Sequence, residues 1–281
     1  MRRLALRALL IHTRAGTRWG ENTALMIIDY PLTKANRIAL ARAFRQAPRV
    51  DLTLDCVIEG QMGRAYVDDM EHPSAFKIRL GPFVYFAGDA EGPAAEEMLQ
   101  SLDASALLMP SAPGWLEAAQ RLWGARLDGF DRYSFSSAGL SAEHLRGLYA
   151  ASRYRDRVQP MDAALVASIW GKPHFIDLSD FDSAEDFLQR AVGFYVRKGT
   201  GAIGAAWASL VCSRGIEVSL YVAEDYRRQG MATALASRLL LWCLDNAMDA
   251  HWDAANPESA KLASKLGYAP AGSYTAFYLN E

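Results

Sequence analysis

The chain has 281 residues, 51% of them hydrophobic and 22% charged, with a formal net charge of -2. That balance predicts a globular protein of one large or two modest domains, and it offers no global electrostatic case for binding nucleic acid or a membrane surface. No apolar run is long enough to span a bilayer.

The chain opens with Arg2, Arg3, Arg7, Arg14 and Arg18 and no acid before Glu21. Arg7 interrupts the apolar stretch 4–11, which argues against a signal peptide and for a poorly ordered basic arm over residues 1–20. The stretch 33–46 has the loose apolar stripe of a helix. Over 50–59, Leu52, Leu54, Cys56 and Ile58 alternate with Asp51, Thr53 and Asp55, which predicts a strand. Residues 60–63 turn it. The run is glycine-rich but links two predicted strands, so it is expected to be a hairpin rather than a phosphate loop. Strands follow at 64–69 and 75–87, the second broken at Gly81-Pro82. A helix is predicted over 94–102, a short strand over 106–109, a helix over 114–123, and an aromatic strand over 127–137.

Ser141 is a candidate cap for a helix running to Tyr149. Arg153, Arg155 and Arg157 make a dense basic patch, which reads either as a solvated surface or as a clamp for a phosphate. A helix follows over 161–170, and Asp182 or Ser183 caps another running to Ala191. Residues 193–197 and 202–212 form a hairpin. The three cysteines, Cys56, Cys212 and Cys243, lie far apart in apolar contexts, which predicts neither a disulfide framework nor a zinc site, but a reducing, cytoplasmic setting.

The most informative stretch begins at Ile216. Val218, Leu220 and Val222 alternate with Glu217, Ser219 and Tyr221, a strand with one face inward. From Arg228 the period changes, and Leu235, Ala236, Leu239, Leu240 and Cys243 form a helical stripe. Arg227-Arg228-Gln229-Gly230-Met231-Ala232 marks the junction. The first amides of a helix have no internal partners, and the helix dipole makes that end partly positive. Gly230 and Ala232 leave room for an anion, and the arginines add charge. Alone, these residues also fit an ordinary surface turn. His251–Asn256 reads as a second strand, and Asn256, Pro257 and Glu258 are the cap, first position and first turn of another helix, which Gly267 ends. The last predicted strand, 269–279, is expected to close the sheet.

The paired motifs, R-x-x-G-x-A at Arg227–Ala232 and N-x-x-S…K-L-G-Y at Asn256–Tyr268, resemble the core of the GNAT acetyltransferases. The V-I-E-G-Q-x-G-R run at 57–64 and the W-D-x-x-N strand resemble a subgroup with a long N-terminal region. The resemblance implies a mixed α/β fold: an acyl-CoA N-acyltransferase domain over 139–281, packed on an N-terminal α/β half over 21–138 that is a possible degenerate copy. It implies acetyl-CoA as cosubstrate, no metal, and direct transfer to an amine. The strand backbone at Leu220, Tyr221 and Val222 would hold the pantetheine. Arg227, Arg228, Gln229, Gly230, Met231, Ala232 and Thr233 would hold the pyrophosphate, with Asn256 near the pantetheine. In ribosomal-protein alanine acetyltransferases, a Glu five residues before the motif Asn is the base and a Tyr seven after it is the acid. Here those positions are His251 and Ala263. His251 is thus the first candidate base, and Glu217, one residue from a Glu position of other members, the second. Asp253 is placed to orient His251 or meet an amine. Tyr268, Tyr274 or water would replace the missing acid. Ala263 keeps open a second reading, a non-catalytic module that binds CoA or a partner. A third reading, a nucleotide-binding enzyme of another class, is disfavoured, since the turn lacks the G-K-[ST] of a Walker loop and the G-x-G-x-x-G of a dinucleotide fold.

Overall fold

The computed structural model describes residues 27–172, 174–199 and 201–280; the basic segment 1–20 lies outside them. After β1 (Ile28–Asp29), helix α1 (Lys34–Ala43) is capped by Thr33, whose hydroxyl accepts from the Asn36 amide at 3.2 Å.

The first departure from expectation is α2 (Thr53–Ile58), a helix where alternation predicts a strand. Asp51 Oδ1 accepts from the Thr53 amide at 2.8 Å and turns the chain into it. Thr53, Leu54, Cys56 and Val57 are all buried, so the helix is enclosed on several sides. A short apolar run of this kind does not separate strand from buried helix by period alone.

A meander follows: β2 (Arg64–Val67), β3 (Ala75–Leu80) and β4 (Phe83–Gly88). Then come α3 (Pro93–Gln100), β5 (Leu107–Leu108), α4 (Trp115–Trp123) and β6 (Leu127–Ser136). Ser141 caps α5 (Ala142–Ala150), accepting from the His144 amide. Next are β7 (Val158–Pro160), α6 (Ala163–Ile169) and α7 (Ala184–Arg190), the last capped by Ser183. The hairpin is β8 (Gly193–Lys198) with β9 (Gly201–Cys212), and β10 (Gly215–Val222) follows. The chain ends with α8 (Met231–Asp245), β11 (Asp249–Ala254), α9 (Pro257–Leu266) and β12 (Ala269–Leu279). The long helix thus starts at Met231, three residues after the change of period.

The described strands form one sheet of 12, ordered β1-β2-β3-β4-β5-β12-β6-β11-β10-β9-β8-β7. The last strand does not close an edge, as expected from sequence, but lies inside the sheet between β5 and β6. Long-range pairing decides this, and no local pattern encodes it. β6 is equally displaced: it pairs β12 on one side and β11 on the other. Both sides of the 138/139 boundary therefore contribute to a single sheet.

β10 and β11 are parallel, joined by α8, whose Ala234, Leu235, Leu239 and Leu240 are fully buried. They pair over three residues only, Gly215–Glu217 with Asp249–His251. β10 then follows β9 to Val222, while β11 turns to β6 from Trp252 to Ala254. The register of β9 and β10 shifts between Glu217 and Val218, which helps to bend β10 away. The result is a fork, with one edge of β10 unpaired beyond Glu217.

Gly215 sits at the base of the fork with φ +150°, and a Cβ there would lie 2.0 Å from the Asp249 carbonyl oxygen. Gly215→Ala is expected to cost about 3 kcal/mol of stability, because a backbone atom blocks the methyl and cannot rotate away. A urea unfolding curve indistinguishable from that of the unsubstituted protein would show that the two strands do not meet as described.

Candidate active site

The fork leads to a turn of free amides. A short helical turn, Glu224–Tyr226, follows β10, and Arg227 Nε donates back to the Val222 carbonyl at 3.0 Å. Arg228 and Gly230 both have positive φ, 56° and 85°. The first bond inside α8 runs from the Ala234 amide to the Gly230 carbonyl at 3.1 Å. The amides of Met231, Ala232 and Thr233 therefore have no helical acceptor. Those of Arg228, Gln229 and Gly230 have no protein acceptor among the described residues. The space beside Gly230 is open: a Cβ there would meet nothing closer than Ser152 Oγ at 4.0 Å. These donors are the features an anion needs.

Side chains at the turn are less available than the backbone. Arg227 is tied to Val222, and its guanidinium lies 3.6 Å from Glu224. Gln229 donates to the Asp225 carbonyl at 2.7 Å and accepts from Tyr154 Oη at 3.1 Å and from Arg153. The basic patch 153–157 is thus partly a wall of this turn rather than a remote surface. Its nearness to Gln229, 76 positions on, has no local sequence signal. Asn256 Oδ1 caps α9, accepting from the Ser259 amide at 2.9 Å.

The fork's crotch brings together the two candidate proton-transfer residues. His251 Nδ1 donates to Glu217 Oε2 at 2.8 Å, and their side chains are only 13% and 10% exposed. Glu217 Oε2 also accepts from the Leu52 amide at 3.3 Å, and Oε1 from the Asp253 amide at 3.2 Å. Leu52 belongs to the segment that turns into α2, so the N-terminal half reaches this pair directly. His251 Nε2 has no protein partner among the described residues and keeps access to solvent.

Burial alone would drive the proton off His251. The charge and hydrogen bond of Glu217 outweigh it, with Asp51 and Asp253 adding to the effect, and push His251 up to about 9. The imidazole is therefore an imidazolium at neutral pH.

Asp253 does not orient His251. Its Oδ2 accepts from Arg132 Nη2 at 2.7 Å and Nε at 2.9 Å, and from Tyr274 Oη at 2.7 Å. Arg132, buried on β6, is missed by sequence reasoning; the one available signal is a cation inside a strand rich in aromatics. Neither replacement tyrosine is a free acid. Tyr268 Oη is buried and donates to the Ala250 carbonyl at 2.8 Å, and Tyr274 is committed to Asp253. Ala263 is fully buried in α9. Among the described residues, no group of three or more His, Cys, Asp or Glu is arranged to hold a metal ion, and no helix is long and apolar enough to cross a membrane. A cavity of about 490 Å³ lies elsewhere, between Arg64, Arg79, Asp180 and Phe181, and includes none of these residues.

Comparison with known proteins places this architecture. Residues 42–277 match the GNAT acetyltransferase family, so the chain belongs to that family, and acyl transfer is its reaction class. A GCN5-related N-acetyltransferase-like protein from Streptococcus suis has a similar structure, with a TM-score of 0.74 and 27% identity, over 86% of this chain and 97% of that one. The uncharacterized N-acetyltransferase YdfB of Bacillus subtilis is 24% identical over 77% of this chain and 85% of its own. A GNAT-family acetyltransferase from Colwellia psychrerythraea, 10% identical with a TM-score of 0.50 over 91% and 100% of the two chains, shares the fold alone.

The charge on His251 has a thermodynamic consequence. Its folded pKa, about 9, lies above the ordinary 6.5, so the native state binds this proton more tightly than the unfolded chain. The resulting stabilisation is complete below about pH 6.5 and is lost as pH rises through about 9. Glu217→Gln is expected to lower the His251 pKa and to flatten this part of the stability–pH curve. An imidazole NMR titration that does not move on this substitution would rule out the pairing.

Proposed function

We propose that the protein is an acetyl-CoA-dependent N-acetyltransferase that transfers the acetyl group directly to an amine of a small molecule or protein. The observation that carries this reading is the unpaired edge of β10 running into a turn of unengaged amides. That edge, at Leu220, Tyr221 and Val222, would bond the pantetheine amides. The amides from Arg228 to Thr233 would take the pyrophosphate, with Gly230 allowing close approach. Arg227 and Gln229 would shape the turn, and the free amide group of Asn256 would face the pantetheine.

The cosubstrate supplies an activated acyl group; the chain supplies position and proton transfer. His251 Nε2–H would give its proton to the departing sulfur. The neutral imidazole, braced by Glu217, would then take one back from the acceptor nitrogen. A single ring thus returns to its starting state each turnover. In this reading 139–281 carries the cosubstrate site and 21–138 the opposite wall, through Leu52. Free, buried Cys56, Cys212 and Cys243 fit a reducing compartment such as the cytoplasm.

A second reading, a non-catalytic module that binds CoA or a partner, draws on buried Ala263 and the committed hydroxyls of Tyr268 and Tyr274. Turnover of any amine in an acceptor screen, lost in His251→Ala, excludes it. For the enzyme reading, Gly230→Glu is expected to abolish acetyl-CoA binding by calorimetry, because a strained, negative side chain would fill the anion site. His251→Ala is expected to lower kcat by on the order of 10²- to 10⁴-fold, the usual worth of one acid–base group, and to leave acetyl-CoA affinity unchanged. Wild-type binding by Gly230→Glu would overturn the cosubstrate assignment.

A further inference from the structure

Coenzyme A carries phosphate in two places: the diphosphate, and a monoester on the 3′ oxygen of its ribose. The free amides from Arg228 to Thr233 answer the first only. The second lies one ribose away from the diphosphate, so its counterpart has to stand beside Gly230.

The segment after α5 stands there. The Tyr154 amide donates to Ser152 Oγ at 3.1 Å, in a turn that brings Ser152 to Gly230 and Tyr154 to Gln229. Tyr154 is only 3% exposed, and its Oη donates to Gln229 Oε1 at 3.1 Å. Two guanidinium groups lie against its ring: the central carbons of Arg153 and Arg157 are 5.1 and 5.5 Å from the centroid. Arg153 Nη2 donates to Tyr154 Oη at 3.2 Å and to Gln229, and Arg157 Nη2 donates to the Arg197 carbonyl at 3.2 Å. Each guanidinium is thereby held by one end. The Nε and Nη1 donors of both have no protein acceptor among the described residues, and both residues are exposed.

The charge around them is unbalanced. Segments 153–157, 197–198 and 224–228 hold seven cationic side chains and three carboxylates. Asp156 lies 3.2 Å from Arg155, Glu224 lies 3.6 Å from Arg227, and the charge of Asp225 acts on Lys198. Arg153 and Arg157 thus share one ring with no acid of their own. Like charges gathered in this way repel, and a phosphate relieves the repulsion while accepting from two planar forks. On the α9 side of the turn, Lys265 Nζ is already bonded to Thr233 Oγ1 at 3.2 Å.

Building on the acetyl-CoA reading, we propose that Arg153 and Arg157 form a second anion subsite, which takes the ribose 3′-phosphate of the cosubstrate. The two phosphates are then read by separate parts of the chain, the diphosphate by main-chain amides and the monoester by a pair of guanidinium forks. Tyr154 is a positioning residue: its ring spaces the forks, and its hydroxyl ties them to Gln229, the neighbour of Gly230. The subsite selects coenzyme A thioesters over those that lack the ribose phosphate.

The test is calorimetry with acetyl-CoA and with its 3′-dephospho form, on the full chain and on Arg153→Gln, Arg157→Gln and the double variant. The unsubstituted protein is expected to bind acetyl-CoA more tightly by on the order of 10- to 100-fold, the worth of a hydrogen bond to a charged group. The preference is expected to shrink as salt is raised. Each single substitution is expected to cut it by about threefold or more, and the double one to remove it, with affinity for the dephospho form unchanged. Arg157 does not touch Gln229, so its substitution leaves the diphosphate turn intact. Equal affinity for the two thioesters in the unsubstituted protein, or a preference that survives in the double variant, would overturn the subsite alone. Binding of neither thioester would overturn the cosubstrate reading, and the subsite with it.

Discussion

β10 and β11 share three residue pairs and then part. The separation is held from both sides. β10 remains bonded to β9 as far as Val222, and β11 is drawn to β6 over Trp252–Ala254. Neither strand can swing back without giving up a ladder of main-chain hydrogen bonds. The exposed edge of β10 is therefore a rigid feature rather than a frayed one, and the free amides at Gly230 begin where that edge ends. The Glu217–His251 pair sits at the last joined position. The fold thus sets the cosubstrate groove and the ionisable pair at the two ends of one opening.

The N-terminal half completes this arrangement. Its Leu52 amide bonds Glu217, its Asp51 lies in the same buried cluster, and its β6 supplies both the second partner of β11 and the guanidinium that holds Asp253. The electrostatics follow from burial. With solvent largely excluded, each charge is felt strongly by the next, so removing one changes the protonation of the others. Residues from both halves, far apart in the chain, thereby meet at one buried site.

What could be read from sequence was local. The Asn256 cap, Pro257, the Gly267 terminator and the Ser141 and Ser183 caps each depend on neighbours within a few residues, and each stands where expected. The sheet order was not legible, because β6 and β12 meet through partners as distant as Leu127 and Leu279. The 50–59 stretch deceived because alternation in a short apolar run also fits a helix enclosed on several sides. The sequence pointed to both members of the Glu217–His251 pair, but as rival bases rather than one unit. Their contact spans 34 positions, and that contact decides the charge on the ring. Arg132 and Asp253, 121 positions apart, illustrate the same limit.

The place of β12 bears on how the molecule is made. Residues 269–279 are translated after β5 and β6, yet they form the rung between those two strands in mid-sheet. Until they emerge, β6 has one bare edge and β5 lacks its second neighbour, so the nascent chain carries unsatisfied strand edges in the meantime. Pairings of such long sequence separation are slow to form and open to intermolecular misjoining meanwhile. The strands from β1 to β5 and those from β6 onward are therefore joined into one sheet only once this strand pairs with both.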